Sequence, residues 1–506
     1  MLSSETGDRS PEDRVARPGS SPVATVDVVI VGAGISGIAA AHDLTEQCPG
    51  LSFIILEAQA GYGGTWRTHR YPGARSDSDL YTYGFRFKPW LRAPIATAEE
   101  IQTYLGEVIR DEGLEQKIRY GHSVNAAAWS DADKVWTLQI SKDGGSISMR
   151  TRFLLMCQGY YRHDAGYTPH WPGMDAFKGR FIHPQDWPDA LDLSNEQVVI
   201  VGSGATAATL IPALGGQCKR LTMLQRSPTY FTVGRNAVAL ADELRELKVD
   251  ENWIHEIVRR RLSTDREKLT RRAREHPQEF REELIGGVKA LLSEDFDMRH
   301  FSPRYDPWTQ RIAFDPEGLL FKTFRSGNAD VVTDEIEKFD ETGIQLKSGR
   351  HLDATVVVTA TGFNLSVMGD IAFSVNGRPV DFSKTVSFRG MAFTGVPNMA
   401  WVFGYFRASW TLRAHLVNDL FCRLLRHMEA IGARKFEVAL RPEEKNMELR
   451  PWMEPDDFNP GYLSRSLHLM PKLGTKPEWR ISQDYMVEKA QFEATRVDDP
   501  LFRYSS

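Results

Sequence analysis

Two glycine-rich fingerprints constrain this chain more than anything else in it. The first, Gly32-Ala33-Gly34-Ile35-Ser36-Gly37, follows directly on the stretch Val26 to Val31, β-branched but for Asp27, and opens a helical pattern that lasts to about Gln47. A second strand, Ser52 to Leu56, then ends at Glu57. Continuous apolar runs are what a parallel strand covered on both faces requires. Glycines at these positions let the backbone turn sharply and approach a pyrophosphate at the helix N-terminus. Glu57 stands 20 residues past Gly37, where a carboxylate accepts hydrogen bonds from ribose hydroxyls. A lone GxGxxG says little, because glycines are common in loops. Strand, helix and acid in this order predict a dinucleotide-binding βαβ unit.

Gln197 to Val201 begins a second unit. Its fingerprint, Gly202-Ser203-Gly204-Ala205-Thr206-Ala207, is a GxGxxA variant that runs on through Ala208 and Thr209. Its second strand, Arg220 to Leu224, ends in Gln225-Arg226-Ser227 and carries no acid. An arginine where the first unit has Glu57 is the usual signature of a 2′-phosphate. One Arg–phosphate contact contributes about 1.5–3 kcal/mol, or roughly 10- to 150-fold in favour of NADPH over NADH.

Two irregular stretches lie between the fingerprints. Gly63-Gly64-Thr65-Trp66 and Tyr71-Pro72-Gly73-Ala74-Arg75-Ser76-Asp77 have the turn chemistry of a surface loop. Their place after the first nucleotide strand, at the carboxyl edge where such sheets bind ligands, favours a functional loop instead. Phe177 to Pro188 follows the pattern FxGxxxHxxxWP, with Gly179, His183 and Trp187 among its fixed letters. It has no strand alternation and its prolines disfavour a helix, so the expectation is a rigid linker that couples the two nucleotide sites.

At 506 residues the chain exceeds one core. Val135 to Ile140 and Ser146 to Thr151 read as a hairpin, Phe153 to Cys157 as a separate buried strand ending at Gln158-Gly159, and Ser409 to Glu429 as one long helix. A net charge of −5 gives no reason to expect nucleic acid as a partner. Four cysteines without a CxxC pair argue against disulfides, a dithiol redox centre and a metal site, and fit reduced thiols in the cytoplasm. The longest apolar runs are strand-length, so no transmembrane segment is predicted; peripheral membrane contact is left open. Residues 1–24 are polar and proline-bearing, with acids that disfavour a transit peptide, and are expected to be a disordered tail.

Phe177-x-Gly179-x3-His183-x3-Trp187-Pro188 resembles the fingerprint of type I Baeyer–Villiger flavin monooxygenases, and Gly63-Gly64-x-Trp66-x4-Tyr71-Pro72-Gly73-x3-Asp77 resembles that family's second motif. The strings around Arg75 to Asp79, Gln225 to Tyr230 and Ala408 to Leu412 are similar to the branch of ethionamide-activating enzymes. The resemblance runs from about residue 26 to the C-terminus. It implies an α/β fold of two Rossmann-like domains, one for FAD and one for NADPH, with a helical insertion in the latter. The implied division gives 25–160 and 361–506 to the FAD domain and substrate wall, 161–233 and 319–360 to the NADPH domain, and 234–318 to the insertion.

Residue by residue, the resemblance implies FAD on Gly32, Gly34, Ser36, Gly37 and Glu57, with Gly64, Thr65, Trp66, Asp77 and Val124 around it. NADPH is implied on Ser203, Gly204, Ala205, Thr206, Ala207, Ala208 and Thr209, with Arg226 and Ser227 at the 2′-phosphate and Arg75, Ser76 and Asp77 facing both cofactors. Arg311, in the pair Gln310-Arg311, takes the place of the family's active-site arginine; many members have lysine where this chain has Gln310. Arg311 is then the fixed cation beside the oxidant, Asp77 its orienting partner, and Gly179, His183 and Trp187 serve conformational coupling. The implied reaction inserts one atom of O2 next to a ketone carbonyl, and the same oxidant converts thioethers to sulfoxides. The rival readings are a flavin monooxygenase that oxygenates only nitrogen or sulfur, a pyridine-nucleotide disulfide reductase, disfavoured by the missing CxxC, and a catalytically silent FAD/NADPH sensor.

Overall fold

The computed structural model describes residues 24–454 and 456–506; of the tail expected over residues 1–24, residues 1–23 lie outside the described residues, and Ala24 opens the first strand instead. Two sheets carry the two fingerprints, the first mixed and the second parallel. In the first, Ala24–Val31 runs parallel to Phe53–Leu56 on one side and to Gly145–Met156 on the other, with Val29 beside both Ile54 and Leu154. Helix Ile35–Gln47 makes the crossover. Val28 and Ile30 enter the core on one face of this sheet, and Val29 and Val31 enter a second core on the other. Burial on both faces is why the sequence shows an unbroken apolar run from Val28 to Val31 instead of alternation.

Gly145–Met156 is one strand where the sequence reads two. Its early residues pair antiparallel with Val135–Lys142 across the Asp143-Gly144 turn, and from Met149 onward it runs parallel to Ala24–Val31. Burial changes along it from one covered face to two, which looks in sequence like two kinds of strand. Asp143 and Gly144 both have positive φ, 49° and 76°, as a tight hairpin turn with right-handed twist demands.

The second sheet has five parallel strands in the order Asp330–Thr333, Arg220–Gln225, Gln197–Val201, Val356–Thr359 and Arg180–Ile182. Its cores repeat the logic, with Val198 and Ile200 on one face and Val199 and Val201 on the other. The fifth strand corrects the expectation for the Phe177 to Pro188 stretch. Arg180–Ile182 is sewn onto the sheet edge, with Phe181 beside Val357, and Pro184–Asp186 forms a 3₁₀ turn with its proline at the first position. Three residues are too few to display an alternation. A proline that opens a helical turn lacks an N–H the turn does not need.

Helices occupy Ala239–Glu246, Glu251–Glu275 and Pro277–Lys289 within the segment read as a helical insertion. Beyond Lys289 that segment is turns, the 3₁₀ helix Met298–Phe301 and the strand Ala313–Pro316, which pairs with Phe231–Gly234. Arg259, 6% exposed, ties the long helix to the loop after Asp77: its Nη1 donates to the carbonyls of Tyr81 at 2.7 Å, Thr82 at 3.2 Å and Gly84 at 3.0 Å. The C-terminal helix Trp410–Ile431 is more buried than an amphipathic surface helix and ends at Gly432, φ 69°. It packs on Ile35–Gln47 around buried Asp43, whose carboxylate meets His415 at 3.2 Å, Asn418 at 2.9 Å and Arg86 at 2.7 Å. Among the described residues, no helix is long and apolar enough to cross a membrane, and no cluster of His, Cys, Asp or Glu is arranged to hold a metal. All four cysteines are free.

Candidate active site

One cavity of about 1270 Å³ joins both fingerprints, larger than a site for a single small molecule. At its first end Gly32 has φ +104°, and a Cβ there would lie 2.7 Å from the carbonyl oxygen of Cys157. Only glycine lets the two strand ends close so tightly. Gly34 approaches Gly64 across the site, where a Cβ on Gly34 would reach the Gly64 Cα at 3.8 Å. Glu57 is 6% exposed and accepts from the Ala33 N–H at 2.7 Å and the Gln59 N–H at 2.8 Å. Burial raises its pKa, and those N–H groups oppose the rise. The carboxylate is therefore held rigidly at the strand end.

Thr65 and Trp66 begin a short helix capped by Gly64, and the Trp66 indole donates to the Tyr83 hydroxyl at 2.8 Å. Ser36 accepts at 2.7 Å from the indole of Trp410, which brings the C-terminal helix to the first fingerprint. Val124 lines the same end from the strand Ser123–Ser130. Both side-chain polar atoms of Gln158 are buried without a partner and line the cavity. Buried polar atoms left unpaired call for a ligand, and together with the glycine cradle and Glu57 they fit a dinucleotide here.

At the second end, Ser203, Gly204, Ala205, Thr206 and Thr209 line the cavity, with Arg226 and Ser227 opposite. The Ser203 hydroxyl bonds the Ser227 carbonyl at 3.0 Å and the Thr229 hydroxyl at 2.9 Å, so it shapes the loop. Arg226 is exposed and has no ion pair among the described residues, leaving its fork available to a phosphate. Gly37, Ala207 and Ala208 do not line the cavity. Ala207 and Ala208 lie in the core beneath it, and a Cβ on Gly37 would sit 1.9 Å from the Gly32 carbonyl oxygen. These three serve close packing of helix on strand.

The Tyr71-Pro72-Gly73 turn joins the two ends. A Cβ at Gly73 would come 3.0 Å from the Ala213 Cβ and 3.2 Å from the Thr209 carbonyl oxygen, so this turn presses on the second fingerprint's helix. Just beyond it, Ser76 and Ser78 lock the backbone, the Ser76 hydroxyl donating to the Ser78 carbonyl at 2.6 Å. That lock sets Asp77 against Arg311. Arg311 Nε lies 2.7 Å from Asp77 Oδ2, Nη2 donates to Oδ1 at 2.8 Å, and Nη1 donates to the Phe406 carbonyl at 3.1 Å. Burial alone would lower the Arg311 pKa, but Asp77 and the neighbouring tyrosines outweigh it and hold the guanidinium firmly charged.

Those tyrosines escape the sequence reading. Tyr160, Tyr161 and Tyr462 line the cavity beside Arg311, and burial drives all three hydroxyl pKa values up. Tyr160 also stacks on Trp410, ring centres 4.9 Å apart at 11°. Their only sequence signal is the position of Tyr160-Tyr161 just past the Gln158-Gly159 strand end.

Gly179, His183 and Trp187 do not line the cavity either. His183 Nδ1 accepts from the Gln185 N–H at 3.1 Å, which leaves Nε2 as donor to the Gly362 carbonyl at 3.1 Å. Burial lowers its pKa, so it is a neutral strut between the edge strand and the loop 360–363 that borders the cavity. A Cβ on Gly179 would meet the Thr355 carbonyl oxygen at 2.4 Å.

The NAD(P)-binding Rossmann-like domain family matches residues 30–90. The FAD-containing monooxygenase EthA of Mycolicibacterium smegmatis is 43% identical over 485 residues, covering 95% of this chain and 97% of that protein. The chain belongs to this family of FAD-containing monooxygenases. The probable FAD-binding monooxygenase AlmA of Acinetobacter baylyi is 41% identical over 484 residues, covering 95% of this chain and 96% of the other. Among solved structures, an oxidised steroid monooxygenase bound to NADP shares the fold with a TM-score of 0.75 at 24% identity, over 95% of this chain and 99% of that one. Like its relatives, this monooxygenase is a flavoprotein, with FAD and NADPH as cofactors and two dinucleotide-binding domains.

Proposed function

We propose that this flavin monooxygenase catalyses Baeyer–Villiger oxidation. A ketone, O2, NADPH and a proton give an ester or lactone, NADP⁺ and water, with one oxygen atom inserted between the carbonyl carbon and its neighbour. The observation that carries the reading is the Arg311–Asp77 pair set between the two nucleotide ends of one cavity. Solved structures of cyclohexanone monooxygenase share the fold and support it.

Bound FAD supplies the redox chemistry, taking hydride from NADPH and activating dioxygen. The chain supplies position and charge. Gly32, Gly34, Ser36 and Glu57 would hold FAD, and Ser203 to Thr209 would hold NADPH, with Arg226 taking its 2′-phosphate. Arg311 presents a fixed cation to an oxygen that must carry negative charge to attack a carbonyl. Asp77, the Phe406 carbonyl and, more distantly, the Ser78 hydroxyl engage its Nε, Nη1 and Nη2 and fix the orientation of the guanidinium. Tyr160, Tyr161 and Tyr462 stay protonated and close the wall around it. The same arrangement oxygenates thioether sulfur, which needs no negative charge on the oxidant. The Gly179–His183–Trp187 stretch tunes the placement of the NADPH domain's edge strand. We place the enzyme in the cytoplasm.

A panel of ketones and thioethers, scored by product identity under ¹⁸O2, tests the reading. Ester or lactone carrying one ¹⁸O, formed with stoichiometric NADPH consumption, is expected. Sulfoxide or N-oxide products with no ester from any ketone would overturn it in favour of heteroatom oxygenation.

A further inference from the structure

A second cavity, about 320 Å³, lies between helix Glu251–Glu275 and the segments 407–412 and 483–486. It shares Ala408 with the wall of the large cavity, and Asp79 on its wall is two residues past Asp77. No residue of either glycine fingerprint lines it. It therefore adjoins the Arg311–Asp77 pair from a side that the dinucleotides do not use.

Its wall holds unsatisfied positive donors. Arg266 is partly buried and has neither a hydrogen-bond acceptor nor an ion-pair partner among the described residues; its guanidinium carbon lies 5.9 Å from the centre of the Trp308 ring. Asp79 does not reach it, because its two carboxylate oxygens accept from the Thr82 N–H and hydroxyl, both at 2.8 Å. Asp484 makes no ion pair with it either; its Oδ1 caps the helix that begins at Tyr485, accepting from the Met486 and Val487 N–H groups. Glu267, Glu275, Arg271 and Arg274 also line the cavity, and of these Arg274 is drawn to Asp457 at 3.5 Å. Arg407, 3% exposed, gives its Nη atoms to Asp457 and the Trp308 carbonyl, but its Nε has no partner. A cation over an aromatic ring gains little compared with what a desolvated, unpaired charge loses. Such a pocket is built for an anion, and Leu262 and Leu412 give it part of an apolar wall.

We propose that this cavity holds the carboxylate end of the substrate, so that the molecules oxygenated beside Arg311 are oxo acids whose carbonyl and carboxylate are separated by an apolar spacer. The carboxylate meets Arg266 and the Arg407 Nε. The placement of the carbonyl rests on the Baeyer–Villiger reading; the carboxylate site does not.

Two measurements on the FAD- and NADP-loaded enzyme test this. Isothermal titration with decanoate and with decanamide, neither of which can be oxygenated as a ketone, should show about ten- to hundred-fold tighter binding of the carboxylate, the range for a charge-assisted contact. Arg266→Gln should collapse that difference and Arg266→Lys should restore part of it. An oxodecanoic acid should exceed its methyl ester in kcat/KM by a similar factor in the wild type, with the ratio falling towards one in Arg266→Gln. Equal wild-type affinity for decanoate and decanamide would overturn the carboxylate site whatever products form, even if the variants fail to fold. Arg266-dependent decanoate binding without any ester from the oxo acid would support this site while sinking the Baeyer–Villiger reading.

Discussion

Asp77 grips Arg311 side-on, with Oδ2 2.7 Å from Nε and Oδ1 2.8 Å from Nη2, although 234 residues separate them in the chain. The pair brings the loop after the first fingerprint against the segment that follows the helices, and it fixes where a positive charge faces the cavity.

Removing that charge should separate the two halves of the reaction. In Arg311→Ala, NADPH should still bleach the flavin in stopped-flow absorbance, while ester formation falls about 10²- to 10³-fold, the cost of losing one oxyanion-type donor. Ester formation at the wild-type rate would remove Arg311 from its role.

Glu57→Ala withdraws the acceptor for the Ala33 and Gln59 N–H groups as well as the partner for ribose. The buried N–H groups left behind cost about 1–3 kcal/mol. The purified variant should be largely colourless, with its flavin absorbance recovered only at high added FAD. A preparation as yellow as the wild type would place the ribose elsewhere.

For Arg226→Ala the sensitive quantity is the cofactor preference. KM for NADPH should rise about 10- to 150-fold while KM for NADH changes little. Equal effects on both would refute a 2′-phosphate at this arginine.

His183→Ala cuts the strut between Gln185 and the Gly362 carbonyl without touching the cavity. Both cofactors should still bind, and product per NADPH consumed should fall, since a misplaced edge strand loosens the relation between the two domains. Full coupling would make the histidine a local strut only.

Acid should destabilise the fold through histidines that are buried neutral. Burial, reinforced by the Arg259 charge, pushes the His255 pKa down from 6.5 to about 4, with its ring 3.0 Å from the Phe85 carbonyl oxygen. Below pH 6.5 the unfolded chain binds a proton that the native state refuses until about pH 4. Stability is therefore complete above the unfolded pKa and declines as pH falls through that window, by an amount on the order of 3 kcal/mol for this site. Thermal melts of His255→Gln, which keeps a donor for Phe85, should lose less between pH 6.5 and 4 than the wild type. Parallel curves would show that other groups carry the acid sensitivity.

Local rules reach the two βαβ units because their signals are contiguous: a buried strand, a turn that only glycine can make, a helix, and an acid or arginine at the next strand end. The same rules fail at Arg180–Ile182, where a three-residue edge strand is too short for any periodicity. They also read Gly145–Met156 as two strands, since its covering changes midway. Gly37, Ala207 and Ala208 belong to the fingerprints in sequence, yet in space they pack helix on strand below the cavity.

By itself, then, the order of residues determined that this chain builds two dinucleotide sites, which of them carries an acid and which an arginine, and which motifs mark its family. The tertiary structure decided what sits between those sites. Asp77 with Arg311, Ser36 with Trp410, the tyrosines around the guanidinium and the unpaired Arg266 come from distant segments, and no local pattern encodes how far apart two segments end up once a core has closed around them.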